Sequence, residues 1–320
     1  MAELTFTLRA RPPFRLDLTV WALRRRAHNV VDQFNDGIWR RVLIVGKSTV
    51  IVAVRQTRFE ESSSGAGRRA RPPEIEVQIS AARPQAVKSE VAALVTKMLG
   101  LNLDLSDFYK LARGDPRLRE LTDRLRGMKP VRYATVFETF ANAVACQLVS
   151  LSAGMHVLNR LANAFGVSAD VDGIAPPMRS FPLAAAIARP NPDELRALGL
   201  SRQKGEYLIG LARMAIDPKD RDFASIEGLD DDDAIARLSK IRGVGRWTAE
   251  YVMLRGFGRI NIFPGDDVGA RNRLFEWLGV TDAPTYDGVG KMLERWRPYG
   301  GLIYLHLIVN AVADGGHVAA

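Results

Sequence analysis

The segment 238–273 contains two features whose residue types and spacing could support chemistry. The first is a glycine-punctuated run, 241–245, between two stretches with helical periodicity. A turn of this kind exposes the unpaired N–H groups at the start of the second helix, and such groups bind anions such as phosphate. The second feature is an acidic pair, Asp266 and Asp267. A phosphate site followed by carboxylates suggests chemistry on a nucleic acid.

Each feature also has an ordinary structural interpretation. Gly243 and Gly245 fit a packed turn between helices, and a Gly-x-Gly sequence alone is common. The acidic pair follows a Pro-Gly step and fits a capped helix start equally well, with Asp266 shaping the turn or capping the helix. Basic residues flank the glycines and favour phosphate contacts that carry no sequence information: Lys240, Arg242 and Arg246. The two features together favour the functional interpretation.

The overall composition is that of an ordinary globular protein of 320 residues with a net charge of +9, which favours polyanionic partners. The single cysteine, Cys146, excludes internal disulfides and argues against a thiolate-ligated zinc or iron–sulfur site. The four histidines are scattered without ligand spacing. The sequence has no apolar run of membrane-spanning length and no signal-peptide core near Met1, so we expect an intracellular soluble protein.

The first 84 residues carry strand patterns and predict an N-terminal antiparallel sheet domain with helical segments against it. Gly46-Lys47-Ser48 predicts a hairpin, and residues 60–73 predict a mobile polar loop. Five segments are expected to be strands: 4–8, 15–20, 41–45, 49–54 and 74–79. From residue 85 onward, apolar residues recur at helical spacing, so 85–320 is predicted to be all helical, with a break near 147–152.

Several segments together resemble the helix-hairpin-helix DNA glycosylases, specifically the 3-methyladenine DNA glycosylase II type. The 238–273 segment carries the most specific part of the resemblance. Matching stretches cover nearly the whole chain: Phe137 to Phe165, Leu195 to Leu211, Lys291 to Asn310, and an N-terminal strand region containing Pro12-Pro13-Phe14 and 39–43. The resemblance implies an α+β fold, a mostly α-helical two-lobed core with a helix-hairpin-helix at 231–254, lobe boundaries near 132 and 264, and a cleft between the lobes.

In this family the essential aspartate begins a helix facing the hairpin, and Asp267 matches it in an Asp-x-Gly-x-Arg variant. The implied chemistry is physically coherent. Breaking an N-glycosidic bond develops positive charge on the sugar, which a desolvated carboxylate stabilises, and the same carboxylate can orient or deprotonate water. A purine alkylated at N3 or N7 is already cationic and leaves as a neutral base, so no general acid is strictly needed.

Family members that also cut the strand carry a lysine after the hairpin. The corresponding position here is Trp247, so no amine is available there for a Schiff base. The resemblance therefore implies a monofunctional enzyme without lyase activity, which leaves an abasic site.

Trp247 and Tyr251 lie four residues apart and would share one helix face, so both can line a pocket for a flipped base. Trp247 and Tyr251 could instead be core residues, and Phe137 is a weaker pocket candidate. Two positions depart from the family pattern: Val268 stands where an aromatic residue follows the catalytic aspartate, and Ile308 stands where a tryptophan follows the closing-helix histidine. These departures predict a less aromatic pocket and leave the substrate range open.

Leu148 matches the family's intercalating wedge, with Gln147 beside it in reach of base edges; a buried leucine is the alternative. The resemblance assigns the phosphate-binding hairpin to five residues: Arg242, Gly243, Gly245, Arg246 and Thr248. It also implies a structural monovalent cation, Na⁺ or K⁺, on backbone carbonyls of the hairpin: Ser239, Ile241 and Val244. No cofactor is expected to be required.

The predicted function is excision of alkylated purines of the 3-methyladenine and 7-methylguanine type from double-stranded DNA in base-excision repair. Two alternatives stay open: the same fold acting on a deaminated, oxidised or mismatched base, and a non-catalytic DNA-binding protein that uses the hairpin for phosphates only. We expect a monomer with no membrane partner, located in the cytoplasm or nucleoid of a bacterium or in the nucleus of a eukaryote.

Overall fold

The computed structural model describes residues 1–59, 71–171, 174–217, 222–280 and 286–314. The chain forms two compact units. One comprises residues 1–132, 168–180 and 308–320; the other comprises 133–167 and 181–307. The predicted fold class, mostly α-helical with an N-terminal antiparallel sheet, is confirmed. The predicted polar loop lies largely outside the described residues.

The first unit is built on a five-stranded antiparallel sheet in the order β1-β5-β4-β3-β2. Burial alternates along the strands, most regularly in β5, as expected for a sheet with one face on a core. The hairpin predicted at Gly46-Lys47-Ser48 joins β3 to β4. The strands are β1 (Ala2–Arg9), β2 (Gln33–Asn35), β3 (Ile38–Val45), β4 (Ser48–Arg58) and β5 (Glu74–Ala81).

One predicted strand is wrong. Residues 15–20 belong to helix α1 (Leu16–Arg24), in which eight of the nine residues are buried. The first residues alternate in polarity, but the apolar run continues through Leu23, and a short segment buried on nearly all sides does not reveal its period. Thr19 donates its hydroxyl proton to the Arg15 carbonyl oxygen, a bond that forms across one helical turn.

The first unit extends well beyond the predicted boundary at residue 84. Helix α2 (Pro84–Met98) buries Val87, Val91 and Val95 and packs on β1, β3 and β5, so it covers a face of the sheet. Two more helices follow in this unit, α3 (Ser106–Gly114) and α4 (Pro116–Asp123). The region 85–320 is also not all helical, because it contains an antiparallel strand pair, β6 (Ser168–Val171) and β7 (Ile174–Arg179).

The second unit is helical among its described residues, and the predicted break near 147–152 separates its first two helices. A π-helical turn, Met253–Phe257, continues α12. The helices are α5 (Val136–Cys146), α6 (Leu151–Phe165), α7 (Ala184–Ile187), α8 (Pro192–Ala197), α9 (Arg202–Ile216), α10 (Asp222–Ile226), α11 (Asp231–Leu238), α12 (Arg246–Val252), α13 (Val268–Leu278), α14 (Tyr286–Leu293) and α15 (Gly300–Asp314). The part of α15 from Ile308 onward is assigned to the first unit.

A shared core holds the second unit together. Buried side chains of α5, α6, α9, α11 and α12 form one cluster, which includes Phe140, Leu158, Leu208 and Val252. This packing fixes the ends of α11 and α12, and therefore the turn between them. In the part of the chain that the structure describes, we find no helix with the length and apolar character needed to cross a membrane.

Candidate functional site

The turn between α11 and α12 has the form expected for an anion site. Gly243 adopts φ +86°, and a side chain there would collide with the ring of Tyr207, so both conformation and packing require glycine. Gly245 precedes the first turn of α12 in extended conformation, with open space where a side chain would be. The helix therefore begins at an accessible surface, where its first N–H groups attract negative charge.

The basic side chains of the turn lie at the surface. Arg242 pairs with Glu206 at 3.2 Å and lies over the Tyr207 ring. The Arg246 guanidinium lies 4.3 Å from the centroid of the Tyr286 ring and is exposed. Thr248 differs from the expectation of a side chain on phosphate, because it is buried and its hydroxyl accepts a bond from Gln147.

Asp267 begins α13 and caps it, since its Oδ1 accepts a 2.9 Å bond from the N–H of Ala270. The capped helix start and the functional interpretation are therefore compatible, because the other oxygen carries different contacts. Oδ2 accepts a 3.3 Å bond from the indole N–H of Trp247 and a 2.9 Å bond from the hydroxyl of Tyr304. The two features found in the sequence are therefore joined by a hydrogen bond, which Trp247 donates to Asp267.

Aromatic rings surround this carboxylate. Trp247 is half-buried and its ring lies 5.6 Å from that of the buried Tyr251, at 31°. The Tyr251 hydroxyl bonds that of Tyr133 at 3.0 Å. Tyr304 packs edge-on against Phe263. The pocket was predicted to be less aromatic than the family type, but Tyr304 adds a ring that contacts the carboxylate itself.

The remaining pocket candidates occupy different environments. Val268 is 59% exposed beside Asp267, so its side chain is accessible next to the carboxylate. Phe137 is buried in the core cluster of its unit. Ile308 lies on α15 one turn beyond Tyr304 and belongs to the other unit, so its pocket role stays a prediction.

Leu148 is fully exposed, so the alternative of a buried leucine is wrong. It lies in the turn between α5 and α6 with φ +53°, a left-handed conformation that costs a leucine roughly 1–2 kcal/mol. Gln147 before it has φ −57° and ψ 128°, so the pair follows a type II turn, in which glycine normally occupies the second position. A strained leucine pointing into solvent indicates a functional side chain.

The amide of Gln147 is directed to the hairpin. Its Nε2 donates to the Gly243 carbonyl at 3.1 Å and to the Thr248 hydroxyl at 3.0 Å. The Lys204 ammonium donates to the Gln147 carbonyl at 2.6 Å, and burial lowers the pKa of this lysine. The expected reach of Gln147 to base edges is therefore limited to its amide oxygen, and the wedge turn and the hairpin form one hydrogen-bonded body.

Two functional candidates were missed by the sequence analysis. Tyr304 was assigned only to a closing helix, although a buried tyrosine hydroxyl normally finds a partner. Glu250, on α12, was not singled out, yet it is 1% exposed. Its Oε2 accepts a 3.2 Å bond from the Gly265 N–H and its Oε1 accepts a bond from the Tyr286 hydroxyl. Burial raises the pKa of Glu250 to about 7.

The start of α15 is unusually close to the segment that leads to Asp267. A Cβ atom on Gly301 would lie 2.7 Å from the carbonyl oxygens of Ile260 and Ile262, and the Gly301 N–H donates to the first of these at 2.8 Å. Only glycine permits this approach. Tyr304 lies one turn further along the helix, within reach of the carboxylate.

One of the three hairpin carbonyls expected to hold a cation accepts a hydrogen bond within the turn. The Ile241 carbonyl accepts a 3.0 Å bond from the Val244 N–H, and each carbonyl oxygen has a second lone pair that a hard cation can use. Among the described residues, we find no cluster of three or more His, Cys, Asp or Glu side chains suited to hold a metal ion.

Comparison with known proteins gives a consistent result. The family model described as HhH-GPD superfamily base excision DNA repair protein matches residues 141–298. The chain is 29% identical to a DNA-3-methyladenine glycosylase of Bacillus subtilis (strain 168) over 66% of this chain and 69% of that protein. It is 26% identical to DNA-3-methyladenine glycosylase 2 of Escherichia coli (strain K12) over 94% and 96%. A solved 3-methyladenine DNA-glycosylase from Archaeoglobus fulgidus has the same fold, with a TM-score of 0.80 at 21% identity, covering 96% of this chain and 98% of that one.

Proposed function

Because this chain belongs to the HhH-GPD superfamily of base excision DNA repair proteins, we propose that it is a DNA glycosylase that releases alkylated purines from double-stranded DNA. The relatives named above as DNA-3-methyladenine glycosylases support this substrate class. The observation that carries the proposal is the Asp267 carboxylate, which accepts hydrogen bonds from Trp247 and Tyr304 beside the hairpin.

The proposed reaction replaces the bond between C1′ of deoxyribose and the purine nitrogen with a bond from C1′ to water oxygen. The electron pair of the breaking bond goes to the cationic base, which leaves neutral, and the water releases a proton. Asp267 stabilises the positive charge on the sugar and orients or deprotonates the water. Trp247 and Tyr251 provide faces for a cationic purine, where cation–π contacts contribute about 1 to 2 kcal/mol.

The proposed DNA contacts lie in the α5–α6 turn and the α11–α12 turn, which are joined by hydrogen bonds from Gln147. The N–H groups at the start of α12, with Arg242 and Arg246, would hold a phosphate. Leu148 would enter the duplex and fill the gap left by the flipped base, which offsets part of the unstacking cost. A hydrogen-bonded link between wedge and phosphate site keeps their spacing fixed.

We propose that the enzyme has no lyase activity. A lyase of this superfamily needs an amine that attacks C1′, and the residue two positions after Gly245 is Trp247, whose indole N–H is not nucleophilic. The expected product is an intact strand with an abasic site. A monovalent cation on the carbonyls of Ser239, Ile241 and Val244 would add positive charge near the bound phosphate. We also propose that the protein acts as a monomer inside the cell, where its DNA substrate is located.

The proposal is tested with purified protein and labelled duplexes that carry 7-methylguanine, a 3-methyladenine analogue, hypoxanthine, 8-oxoguanine, uracil opposite guanine, or no lesion. Each reaction is read with and without alkali. Breaks that appear only after alkali, on the alkylated purines, are the expected result. Breaks without alkali would overturn the absence of lyase activity, and release of another base would move the assignment to that lesion.

A further inference from the structure

Glu250 is an acidic residue in the interior of the second unit. It lies on α12 between Trp247 and the π-helical turn, and only 1% of its surface is exposed. A buried carboxylate is unfavourable unless it accepts hydrogen bonds, so its partners reveal which parts of the fold depend on it.

The two oxygens of Glu250 bind two different segments. Oε2 accepts a 3.2 Å bond from the N–H of Gly265, and Oε1 accepts a bond from the hydroxyl of Tyr286 at the start of α14. Gly265 belongs to the turn in which the Asp267 N–H donates to the Pro264 carbonyl at 3.0 Å. The Glu250 side chain therefore connects α12, the turn before Asp267, and α14.

Tyr286 extends this connection to the DNA-facing side of the hairpin. Its ring lies against Gly265, where an added Cβ would be 2.7 Å from the ring, and the Arg246 guanidinium lies 4.3 Å from the ring centroid. Arg246 begins α12 and is a proposed phosphate contact. A continuous set of contacts thus runs from Arg246 through Tyr286 and Glu250 to the turn that carries Asp267.

We infer that Glu250 and Tyr286 are positioning residues that hold the turn before Asp267 against α12. Through them, phosphate binding by Arg246 is coupled to the placement of the Asp267 carboxylate. This inference rests on the proposed function, in which Asp267 acts on the flipped nucleotide. Neither residue needs to touch substrate for the effect.

The positioning role of Glu250 should depend on pH, because the protonation state of its carboxyl changes the hydrogen bonds that it accepts. Burial raises its pKa to about 7, and the groups facing it are Tyr286 on α14, Asp266 on the turn, and Arg246 on its own helix. The ionised carboxylate accepts from both Gly265 and Tyr286, whereas the neutral form carries a proton on one oxygen and accepts less strongly. The turn is therefore held most firmly above pH 7.

The test compares wild-type protein with Glu250→Gln, Tyr286→Phe and a control, Glu276→Gln, which changes an exposed acid on α13. Single-turnover release of 7-methylguanine is measured from pH 5.5 to 9, with binding to undamaged duplex measured in parallel. We expect Glu250→Gln to slow release about tenfold with the Kd changed less than about threefold, and to remove the wild-type rise through pH 7. Tyr286→Phe should have a smaller effect in the same direction, and the control should match wild type.

Hydrogen exchange of a peptide covering 263–269 separates this inference from the proposed function, because it needs no catalysis. Faster exchange in Glu250→Gln and Tyr286→Phe, but not in the control, supports the positioning role of Glu250 and Tyr286 even if the wild type releases no base. Wild-type exchange in both variants overturns it, as does an unchanged rate profile in active protein. If Glu250→Gln does not fold, Tyr286→Phe decides by the same two readouts.

Discussion

The Tyr304 hydroxyl donates a 2.9 Å hydrogen bond to Oδ2 of Asp267 from a side chain that is only 5% exposed. Burial and the neighbouring carboxylate raise the pKa of this tyrosine well above its usual range, so it remains a donor at every pH at which the protein is expected to work. The charged form of Asp267 is thus held in one orientation by Tyr304, by the Trp247 indole and by its own helix start.

Removing this donor should slow base release without unfolding the protein. Tyr304→Phe keeps the ring and its packing on Phe263 but loses the bond to the carboxylate. Since a hydrogen bond to a charged group contributes about 1.5 to 3 kcal/mol, we expect a decrease of about tenfold or more in single-turnover rate.

Tyr133→Phe is the matched control for that variant, because it removes a buried hydroxyl that bonds Tyr251 at 3.0 Å. It should slow base release less than Tyr304→Phe does. Equal decreases in the two variants would mean that the bond to Asp267 matters no more for the rate than another buried hydroxyl does.

Asp267→Asn should abolish excision and preserve DNA binding. The amide oxygen can still accept from the Ala270 N–H, so the cap of α13 and the fold are retained while the charge is lost. Loss of such a preorganised charge typically costs about a hundredfold to a thousandfold in rate. Asp266→Asn, which changes the exposed neighbour, is the control and should remain active. Normal excision by Asp267→Asn would disprove the assignment of the catalytic residue.

The wedge can be tested by relieving its strain. Leu148→Gly removes the apolar tip and the cost of φ +53°, while glycine gains entropy in the unfolded chain, so the unfolding free energy should stay within about 1 kcal/mol of wild type. Excision from duplex DNA should fall about tenfold or more, because unstacking costs a few kcal/mol. Val149→Ala, at the exposed neighbour, should have little effect on either quantity, measured by urea unfolding and single-turnover kinetics.

Substitutions of the two hairpin glycines should affect different properties: folding stability at Gly243 and DNA binding at Gly245. Gly243→Ala places a methyl group against Tyr207 at φ +86° and should lower the unfolding free energy by more than about 1 kcal/mol. Gly245→Ala has an ordinary φ of −86° and open space, so the fold should tolerate it. The added methyl group should hinder the approach of a phosphate and raise the Kd for duplex about tenfold. Unchanged DNA binding would argue against the proposed phosphate site.

Glu250 makes the folding stability depend on pH in a specific direction. Its pKa is about 7 in the folded protein against an ordinary value of 4.5, so the folded state binds the extra proton between these values. The unfolding free energy of the whole protein therefore falls by about 3 kcal/mol as the pH rises from 4.5 to 7, because the fold must then hold a buried charge, even though that charge accepts more strongly from Gly265 and Tyr286. Urea unfolding between pH 4.5 and 8 should show this slope in the wild type and lack it in Glu250→Gln.

Much of the helical core could be predicted because its signals are local. The break after Cys146 and the start of α8, where Asn191 and Glu194 form a capping box, both depend on residues adjacent in sequence. Helix α1 could not be assigned, since a segment buried on nearly all sides has no visible period.

Only part of the candidate site could be predicted from the sequence. The hairpin and Asp267 were identified by a spacing that resembles a known family, but Tyr304 and Glu250 act through partners on other elements. Their signal is indirect: each is a polar group inside an apolar helical run, and such a group requires a hydrogen-bond partner that the sequence does not name.

The close approach at Gly301 changes how sequence variants of this protein should be interpreted. Gly301 carries no functional group, yet its missing side chain leaves room for the Ile260 and Ile262 carbonyl oxygens and for the Leu254 side chain, and so sets the spacing between α15 and the segment before Asp267. A survey that ranks variants by chemical role would score alanine at this position as neutral. Because the methyl group would push Tyr304 away from the carboxylate, we expect Gly301→Ala to fold but to release the base slowly, as Tyr304→Phe does.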